Sequence, residues 1–265
     1  MTETDHINFD AVLQKLEPIT LDEMDSIKLM NRIDSKFLTH ESVLVKVLED
    51  AAAAGYRVLT IGDIRQARYN STYYDTDSYR MFRDHHNRRL VRQKVRTRIY
   101  LDSGDAFLEI KRKNNHGRTK KKRIGIPASQ MMDFSSNADA CAYLQKHSWF
   151  TQSELTPAAE TVFTRITLVN PGKTERLTID SNLHFKNFRT GFSTTLEDTV
   201  IIELKQDGRA YSPMRKILLD NRVKPVRVSK YCIAVTLTEP SLTRGRFKVK
   251  VRRIEKEIGK KLISV

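Results

Sequence analysis

The stretch 91–113, VRQKVRTRIYLDSGDAFLEIKRK, alternates charged and apolar residues along two runs that a turn signal separates. The turn is Asp102-Ser103-Gly104-Asp105, whose residue types are typical of a hairpin loop. Side chains two residues apart share one face of a β-strand, so each run predicts a strand with one charged and one apolar face. The first charged face carries Arg92, Lys94, Arg96 and Arg98, and the second carries Glu109, Lys111 and Lys113.

Four cations on one strand face have two explanations. A strand that is apolar on one side usually just exposes its other side to water. Like charges at this spacing repel each other, however, and a solvated face usually mixes both signs. The alternative is a surface that holds a ligand with many negative charges, and it gains weight where other strands repeat the pattern.

The overall charge also favours a polyanionic partner. Lys and Arg exceed Asp and Glu by 47 − 32 = 15 in the 265 residues, and the pI is about 9.8. Such a balance is typical of proteins that bind nucleic acid, phosphorylated small molecules, polyphosphate or an anionic membrane surface. Cys141 and Cys232 have no metal-ligand spacing, which fits a reducing, intracellular compartment. We find neither a signal-peptide pattern nor an apolar stretch long enough to span a membrane.

Helices are predicted on both sides of the hairpin. Residues 40–54 carry an apolar stripe at helical spacing, and Ser212-Pro213 is a helix start with an N-cap followed by proline. The basic run 118–123, RTKKKR, predicts a solvated loop or an anion-binding patch. Trp149, the only tryptophan, is interpreted as a core or packing residue. Residues 241–265 predict a basic tail, either a solvated extension or an amphipathic helix.

Charged stripes recur on several other predicted strands. A sheet with one cationic face would suffer self-repulsion and expose long edges, and closing it into a barrel removes the edges. We therefore predict an α+β fold: a closed antiparallel β-barrel with helices packed outside and a basic tunnel inside. The recurring charged positions are Arg32/Asp34/Lys36, Arg165, Arg176/Asp180 and Glu203/Lys205.

The residue types in this predicted tunnel match phosphate chemistry. Guanidinium groups bind phosphate oxygens in pairs and stay charged at any working pH. Carboxylates would repel phosphate unless a hard divalent cation such as Mg²⁺ or Mn²⁺ lies between them. Phosphoryl transfer needs positioning and charge stabilisation more than covalent help from the protein.

The ordered set of motifs resembles the polyphosphate polymerase domain of the vacuolar transporter chaperone (VTC) family, within the CYTH/triphosphate tunnel superfamily. The motifs are YYDTDSYRMFRDHHNRRLVRQKVRTRIY, FLEIKRK, RITL with RLTID, VIIELK and VSKY, and they cover roughly residues 30–238. The resemblance implies a tunnel enzyme that transfers the γ-phosphate of ATP to a growing polyphosphate chain and releases ADP. Since no SPX-like helical domain or membrane span is found, the chain is most similar to stand-alone bacterial members.

The resemblance also implies roles for individual residues. Glu203 would hold Mn²⁺ or Mg²⁺, and Glu109 is a weaker candidate for that role. Arg96, Arg98, Arg165, Arg176 and Lys205 would be catalytic. The phosphate chain would be bound by those five together with Lys36, Lys111, Lys113 and Lys230.

One departure from the superfamily pattern matters for the reaction. The usual Glu-x-Glu-x-Lys appears here as Arg32-Ile33-Asp34-Ser35-Lys36, so a metal ligand of the two-metal hydrolases is replaced by arginine. This favours the polymerase. A triphosphatase or nucleotidyl cyclase on the same tunnel, and a non-enzymatic polyanion-binding module, stay open as alternatives.

Partners, location and domain limits are also predicted. The expected ligands are ATP and inorganic polyphosphate, with a membrane protein or an anionic membrane surface contacted through the basic tail. The cationic faces carry few aromatic residues for base stacking, which argues against single-stranded nucleic acid and leaves binding to a duplex backbone open, although nucleic acid is not the expected ligand. The predicted location is the cytoplasm or the inner face of the membrane, with a tunnel domain over residues 1–240 and the basic segment over 241–265.

Overall fold

A computed structural model describes residues 7–27, 29, 32–196, 198–208, 211–259 and 261–262. These residues form one eleven-stranded sheet with helices on both of its faces. The helices are α1 (Asp10–Leu13), α2 (Leu21–Asp25), α3 (Glu41–Ala53), α4 (Arg80–His86), α5 (Ala138–His147), α6 (Pro213–Asp220), α7 (Lys230–Thr238) and α8 (Gly245–Ile258). The strands are β1 (Glu17–Ile19), β2 (Arg32–His40), β3 (Arg57–Leu59), β4 (Ala67–Asp75), β5 (Arg92–Tyr100), β6 (Ala106–Lys113), β7 (Thr119–Ile126), β8 (Thr156–Val169), β9 (Glu175–Asn187), β10 (Ser193–Leu196) and β11 (Thr199–Asp207).

The main sheet follows the order β2-β11-β9-β8-β4-β5-β6-β7, with antiparallel neighbours throughout. The predicted closed barrel is wrong, because β2 and β7 do not pair with each other in the described part of the chain and the sheet stays open there. Both edges carry cations, including Lys36 on β2 and Lys121 on β7. Pairing them would bring like charges within roughly 5 Å of each other, which opposes closure.

Strand β7 is the basic run that the sequence predicts as a loop or patch. Lys120 and Lys122 on this strand are exposed, and the strand pairs with β6 along its whole length. Charged side chains on an edge strand oppose pairing with another molecule. The basic run therefore protects this edge strand from pairing with another molecule, although the sheet is not closed.

The convex face of the sheet is covered in two places. Helices α1, α3 and α6 bury the β2, β8, β9 and β11 side, where Leu48 and Met214 meet Ile166, Leu177 and Ile202. Helix α5 covers the β4 to β7 side. These contacts use the apolar positions of the alternating strands, as the sequence pattern predicts. The charged positions are left on the concave face.

Helix α7 lies on the concave face, which the sequence does not predict. It packs with α4 and α8 against the ends of β4, β8 and β9, through Tyr231, Phe82 and Phe163. The buried carboxylate of Asp75 joins these elements, because it accepts hydrogen bonds from the Tyr231 hydroxyl and from two backbone N–H groups at the start of α4. One end of the concave face is thereby filled.

Within the basic segment near the C-terminus, residues 245–258 form α8, which buries Phe247 and Ile254 against the same core as α7 and also buries Val251. These apolar residues are therefore used inside the protein, while Lys248, Val249 and Arg252 are exposed. None of the described helices is both long enough and apolar enough to cross a bilayer.

Local capping explains where several helices begin. Thr20 and Glu23 form a capping box at α2, and Ser212 caps α6 with Pro213 in its first turn, as predicted. The Ser212 hydroxyl also donates to the buried carboxylate of Glu175, which accepts from the Tyr56 hydroxyl and the Met214 N–H as well. Ser212 thus serves both the helix end and a buried charge.

We predict that Ser212→Ala lowers the free energy of unfolding by about 2–4 kcal/mol, since it removes an N-cap and one donor to a buried carboxylate. Thr20→Ala is the matched control: it removes an exposed N-cap only and should cost about 1 kcal/mol. Chemical denaturation followed by circular dichroism measures both. Equal losses in the two variants would contradict the role given to Glu175.

Candidate anion-binding trough

The concave face of the sheet gathers the charged residues that the sequence singles out. Strand register places them on one side, because Glu203 lies opposite Lys36 and Thr178, and Arg96 lies opposite Glu109. We call this surface the trough. The predicted residues on it are Lys36, Arg96, Arg98, Glu109, Lys111, Lys113, Arg165, Arg176, Glu203 and Lys205 from the strands, and Lys230 from the first position of α7.

Asp180 on β9 holds two of these cations together. Its oxygens accept from Arg165 Nε at 2.6 Å and Arg165 Nη2 at 2.9 Å, and from the ammonium of Lys230. Burial would raise the pKa of Asp180, but Arg165 and Lys230 outweigh it and lower the pKa. Asp180 therefore stays ionised, and it fixes the start of α7 to the sheet.

Glu109 on β6 plays the same part on the other side of the trough. It is 2 % exposed, and its two oxygens accept from Arg96 Nε at 2.7 Å and Lys121 Nζ at 2.9 Å. Burial would raise the pKa of Glu109, but Arg96, Arg98 and Lys121 have the larger effect and lower it. Both oxygens are thus committed to protein cations.

Arg98 differs from its neighbours because no described carboxylate is paired with it. The residue is 6 % exposed, and its Nε donates to Ser71 Oγ at 2.9 Å. Within the described ranges, neither of its Nη atoms donates a hydrogen bond to another residue. Burial, with Arg96 and Arg165 nearby, lowers the pKa of Arg98 to about 10. A nearly buried guanidinium with two free donors is a ready partner for two oxygens of one anion.

Stacked aromatic rings form a wall beside these cations. Tyr69 and Phe163 are parallel with ring centroids 5.3 Å apart, and the Arg98 guanidinium carbon is 5.3 Å from the Tyr69 ring. The Lys230 ammonium is 4.0 Å from the Phe163 ring. Cation–π contacts of this kind hold the cations in place without occupying a hydrogen-bond donor.

Glu203 is the least committed carboxylate of the trough. Lys36 and Lys205 each approach it only to 3.9 Å, and its side chain is 18 % exposed. Burial raises its pKa, but Lys36, Lys205 and Lys111 lower it, so the group is ionised. The oxygens of Glu203 can therefore exchange a distant ammonium for a metal ion.

Three lysines of the trough have a pKa below the ordinary value of a lysine. Burial lowers the pKa of Lys205 and of Lys230 to about 8, outweighing the attraction of Glu203 and of Asp180 respectively. The pKa of Lys111, which is more exposed, shifts in the same direction. The hydroxyl of Tyr73 shifts the same way: burial would raise its pKa, but Arg96, Arg98 and Lys94 lower it to about 8. The positive charge of the trough therefore depends on pH just above neutrality.

The described residues contain no cluster of three or more His, Cys, Asp or Glu side chains that could hold a metal by themselves. A divalent cation that takes one carboxylate together with phosphate oxygens does not need such a cluster. Glu203 fits that arrangement, because its oxygens are only loosely paired. Glu109 fits it less well, because Arg96 and Lys121 occupy it.

Sequence reasoning missed several residues that shape the trough. The sequence pattern places Asp180 on the charged face without a role, although its spacing from Arg176 and Thr178 is the available signal. Lys121 lies in the run predicted as a solvated loop or an anion-binding patch, so the sequence carries no signal for its pairing with Glu109. The aromatic wall of Tyr69 and Phe163 requires two strands to be adjacent, which alternation alone does not reveal.

Three solved structures illustrate what the fold is similar to. The PH1819 protein from Pyrococcus horikoshii OT3 matches with 13 % identity and a TM-score of 0.43, covering 76 % of this chain and 95 % of its own. A conserved hypothetical protein from Pyrococcus furiosus matches with 12 % identity and a TM-score of 0.42, over 76 % and 99 %. The putative adenylyl cyclase HpAC1 from Hippeastrum, described as having a dominant triphosphatase activity, matches with 14 % identity and a TM-score of 0.47, over 76 % and 94 %.

The family comparison is more informative than these distant structures. No curated protein matches the chain. The family model of the VTC domain matches residues 31–238, which include every strand of the trough and the start of α7. The resemblance seen in the sequence is confirmed, and the chain belongs to the VTC domain family.

Proposed function

We propose that this protein is a metal-dependent polyphosphate polymerase, which transfers the γ-phosphate of ATP to a growing inorganic polyphosphate chain and releases ADP. Membership of the VTC domain family supports phosphate chemistry in the trough. The observation that carries the proposal is Arg98, a nearly buried guanidinium with two unused donors and no paired carboxylate in the described structure. An unpaired buried cation is costly, and a bound phosphate offsets that cost.

The trough offers several further cations along the same face. Among the residues that the structure describes, no carboxylate forms a close ion pair with Lys111 or Arg176, and Lys36 approaches Glu203 only to 3.9 Å. A linear chain of phosphates presents negative oxygens at regular spacing, and a row of cations on several strands can follow it. A single phosphate monoester would use only part of this surface.

The geometry of each residue in the trough determines the role that we assign to it in the transfer reaction. Arg98 and Arg165 would grip the phosphates where charge builds up in the transition state, since both are held rigidly by Ser71 and Asp180. Glu203 would hold Mn²⁺ or Mg²⁺, which supplies charge neutralisation between the phosphates when bound. Lys205 and Lys230 would stabilise the departing ADP oxygens or the acceptor end of the chain.

The loose pairing of Glu203 also bears on the alternative reaction. Hydrolases with two metals need several free carboxylates, whereas Asp180 and Glu109 are both saturated by protein cations. A trough with one available carboxylate favours transfer to a bound phosphate over activation of water.

We predict that the purified protein with ATP and Mn²⁺ forms long phosphate polymers and one ADP per phosphate transferred. Gel electrophoresis of the products and an ADP assay measure both. The same reaction without divalent cation is the control. Free phosphate or cyclic AMP as the main product would assign a triphosphatase or cyclase instead, and ATP binding without turnover would leave a binding module.

We predict that Lys111→Ala weakens ATP binding by about tenfold or more, because it removes a charged donor to phosphate from the trough. Lys122→Ala is the matched control, since Lys122 lies on the neighbouring strand with its side chain on the outer face and should change affinity by less than about twofold. Isothermal calorimetry measures both. Equal effects would mean that net charge, and not the trough, attracts ATP.

We predict that affinity for ATP falls by about tenfold or more from about pH 7.5 to about pH 9.5. The pKa of Lys205 and of Lys230 is lowered to about 8, and the pKa of Lys111 is lowered as well. These lysines bind phosphate only when protonated, so binding is strongest below that pH and is lost above it. Ionisation of Tyr73 over the same range adds a negative charge and acts in the same direction. Affinity that stays constant up to about pH 9.5 would show that the three lysines are not part of the site.

A further inference from the structure

A second cationic surface lies on the outer face of β6 and β7, on the opposite side of the sheet from the trough. Arg112 lies directly opposite Lys120 in the register, and Lys122 follows on the same face of β7. Lys146 and His147 end the neighbouring helix α5. Burial and the nearby Lys122, Lys146 and Arg112 lower the pKa of His147, which shows that these groups lie within electrostatic reach of one another. We call these five residues the outer patch.

The outer patch has no compensating negative charge in the part of the chain that the structure describes. None of its four Lys and Arg side chains takes part in a described salt bridge, whereas the trough cations Arg96 and Arg165 are paired with Glu109 and Asp180. Like charges directly opposite each other on neighbouring strands are destabilising. The arrangement therefore costs stability unless an anionic partner is bound.

An exposed tryptophan lies within this patch. Trp149, interpreted from the sequence as a core or packing residue, is 42 % exposed, and the Arg112 guanidinium carbon lies 4.8 Å from its ring centroid. Its backbone N–H donates to Gln93 on β5 at 3.1 Å. Two exposed aliphatic residues, Leu90 and Val91, come just before Gln93 in the chain, 61 % and 48 % exposed. Trp149 and the cations thus share one surface, and Leu90 and Val91 directly precede the strand to which Trp149 is bonded.

We propose that the outer patch docks the protein on a membrane surface of anionic lipids. Tryptophan prefers the boundary between headgroups and acyl chains, aliphatic residues enter that boundary, and surrounding Lys and Arg bind anionic headgroups. Single-stranded nucleic acid fits less well, because Arg112 already covers one face of the only exposed ring here and Leu90 and Val91 cannot stack on bases. The docking surface is thus the outer patch and not the basic helix α8, whose apolar stripe is buried.

The single tryptophan of the chain makes the test specific. We expect Trp149 fluorescence to shift to shorter wavelength when the protein meets vesicles of phosphatidylglycerol and phosphatidylcholine, and to be quenched by lipids brominated on the acyl chain. Vesicles of phosphatidylcholine alone should give neither change. Absence of binding to the anionic vesicles, or binding with unchanged Trp149 emission, would overturn the proposal.

Paired variants separate this patch from the overall charge. Arg112→Gln with Lys122→Gln should lower the vesicle partition coefficient by about fivefold for each cation removed. Lys248→Gln with Arg252→Gln removes the same charge from the exposed side of α8 and should change the coefficient by less than about twofold. Leu90→Ser, on an exposed loop, should weaken binding without changing folding. Equal losses in the two charge variants, or stronger Trp149 quenching by single-stranded RNA than by vesicles, would refute membrane docking.

Discussion

The fold depends on how crowded cations on one face of a sheet are kept from repelling each other. Two buried carboxylates, Asp180 and Glu109, each lie between two cations and stay ionised because the cations outweigh the effect of burial. They stand on opposite sides of the trough, on β9 and β6. Arg98, between them, is left with spare donors. The same two ion-paired groups therefore permit the sheet to form and determine where an anion can be bound.

Filling one end of the concave face is equally important for the site. Asp75 and Asp180 fix helix α7 in that position together with its apolar packing, because they bind Tyr231 and Lys230 from consecutive positions of the helix. Lys94 of β5 also donates to the N-cap Ser229 at 2.6 Å. The trough is thus bounded by a helix end whose own dipole adds positive potential. Packing, capping and anion attraction use the same few residues.

Much of this arrangement could be predicted from alternation alone. Local sequence pattern predicts the strands around Arg96 and Glu203, the helix over residues 40–54 and the helix start at Ser212. Because charged residues are two positions apart along each strand, their side chains lie on one face of the sheet. Closure could not be predicted, because it depends on whether the two edge strands meet, and Lys36 and Lys121 at those edges disfavour it. The position of α7 and the exposure of Trp149 depend on contacts between distant segments, which leave no periodic signal.

The open side between β2 and β7 has a consequence for long ligands. A pore that is closed all round accepts a polymer only by its free end, so each molecule must thread and later unthread. A groove that is open along one side admits an internal segment sideways. Under the proposed activity, such a chain can be captured in mid-length and released without sliding its whole contour past the active residues. Edge repulsion between strands would then govern how long one product molecule is retained.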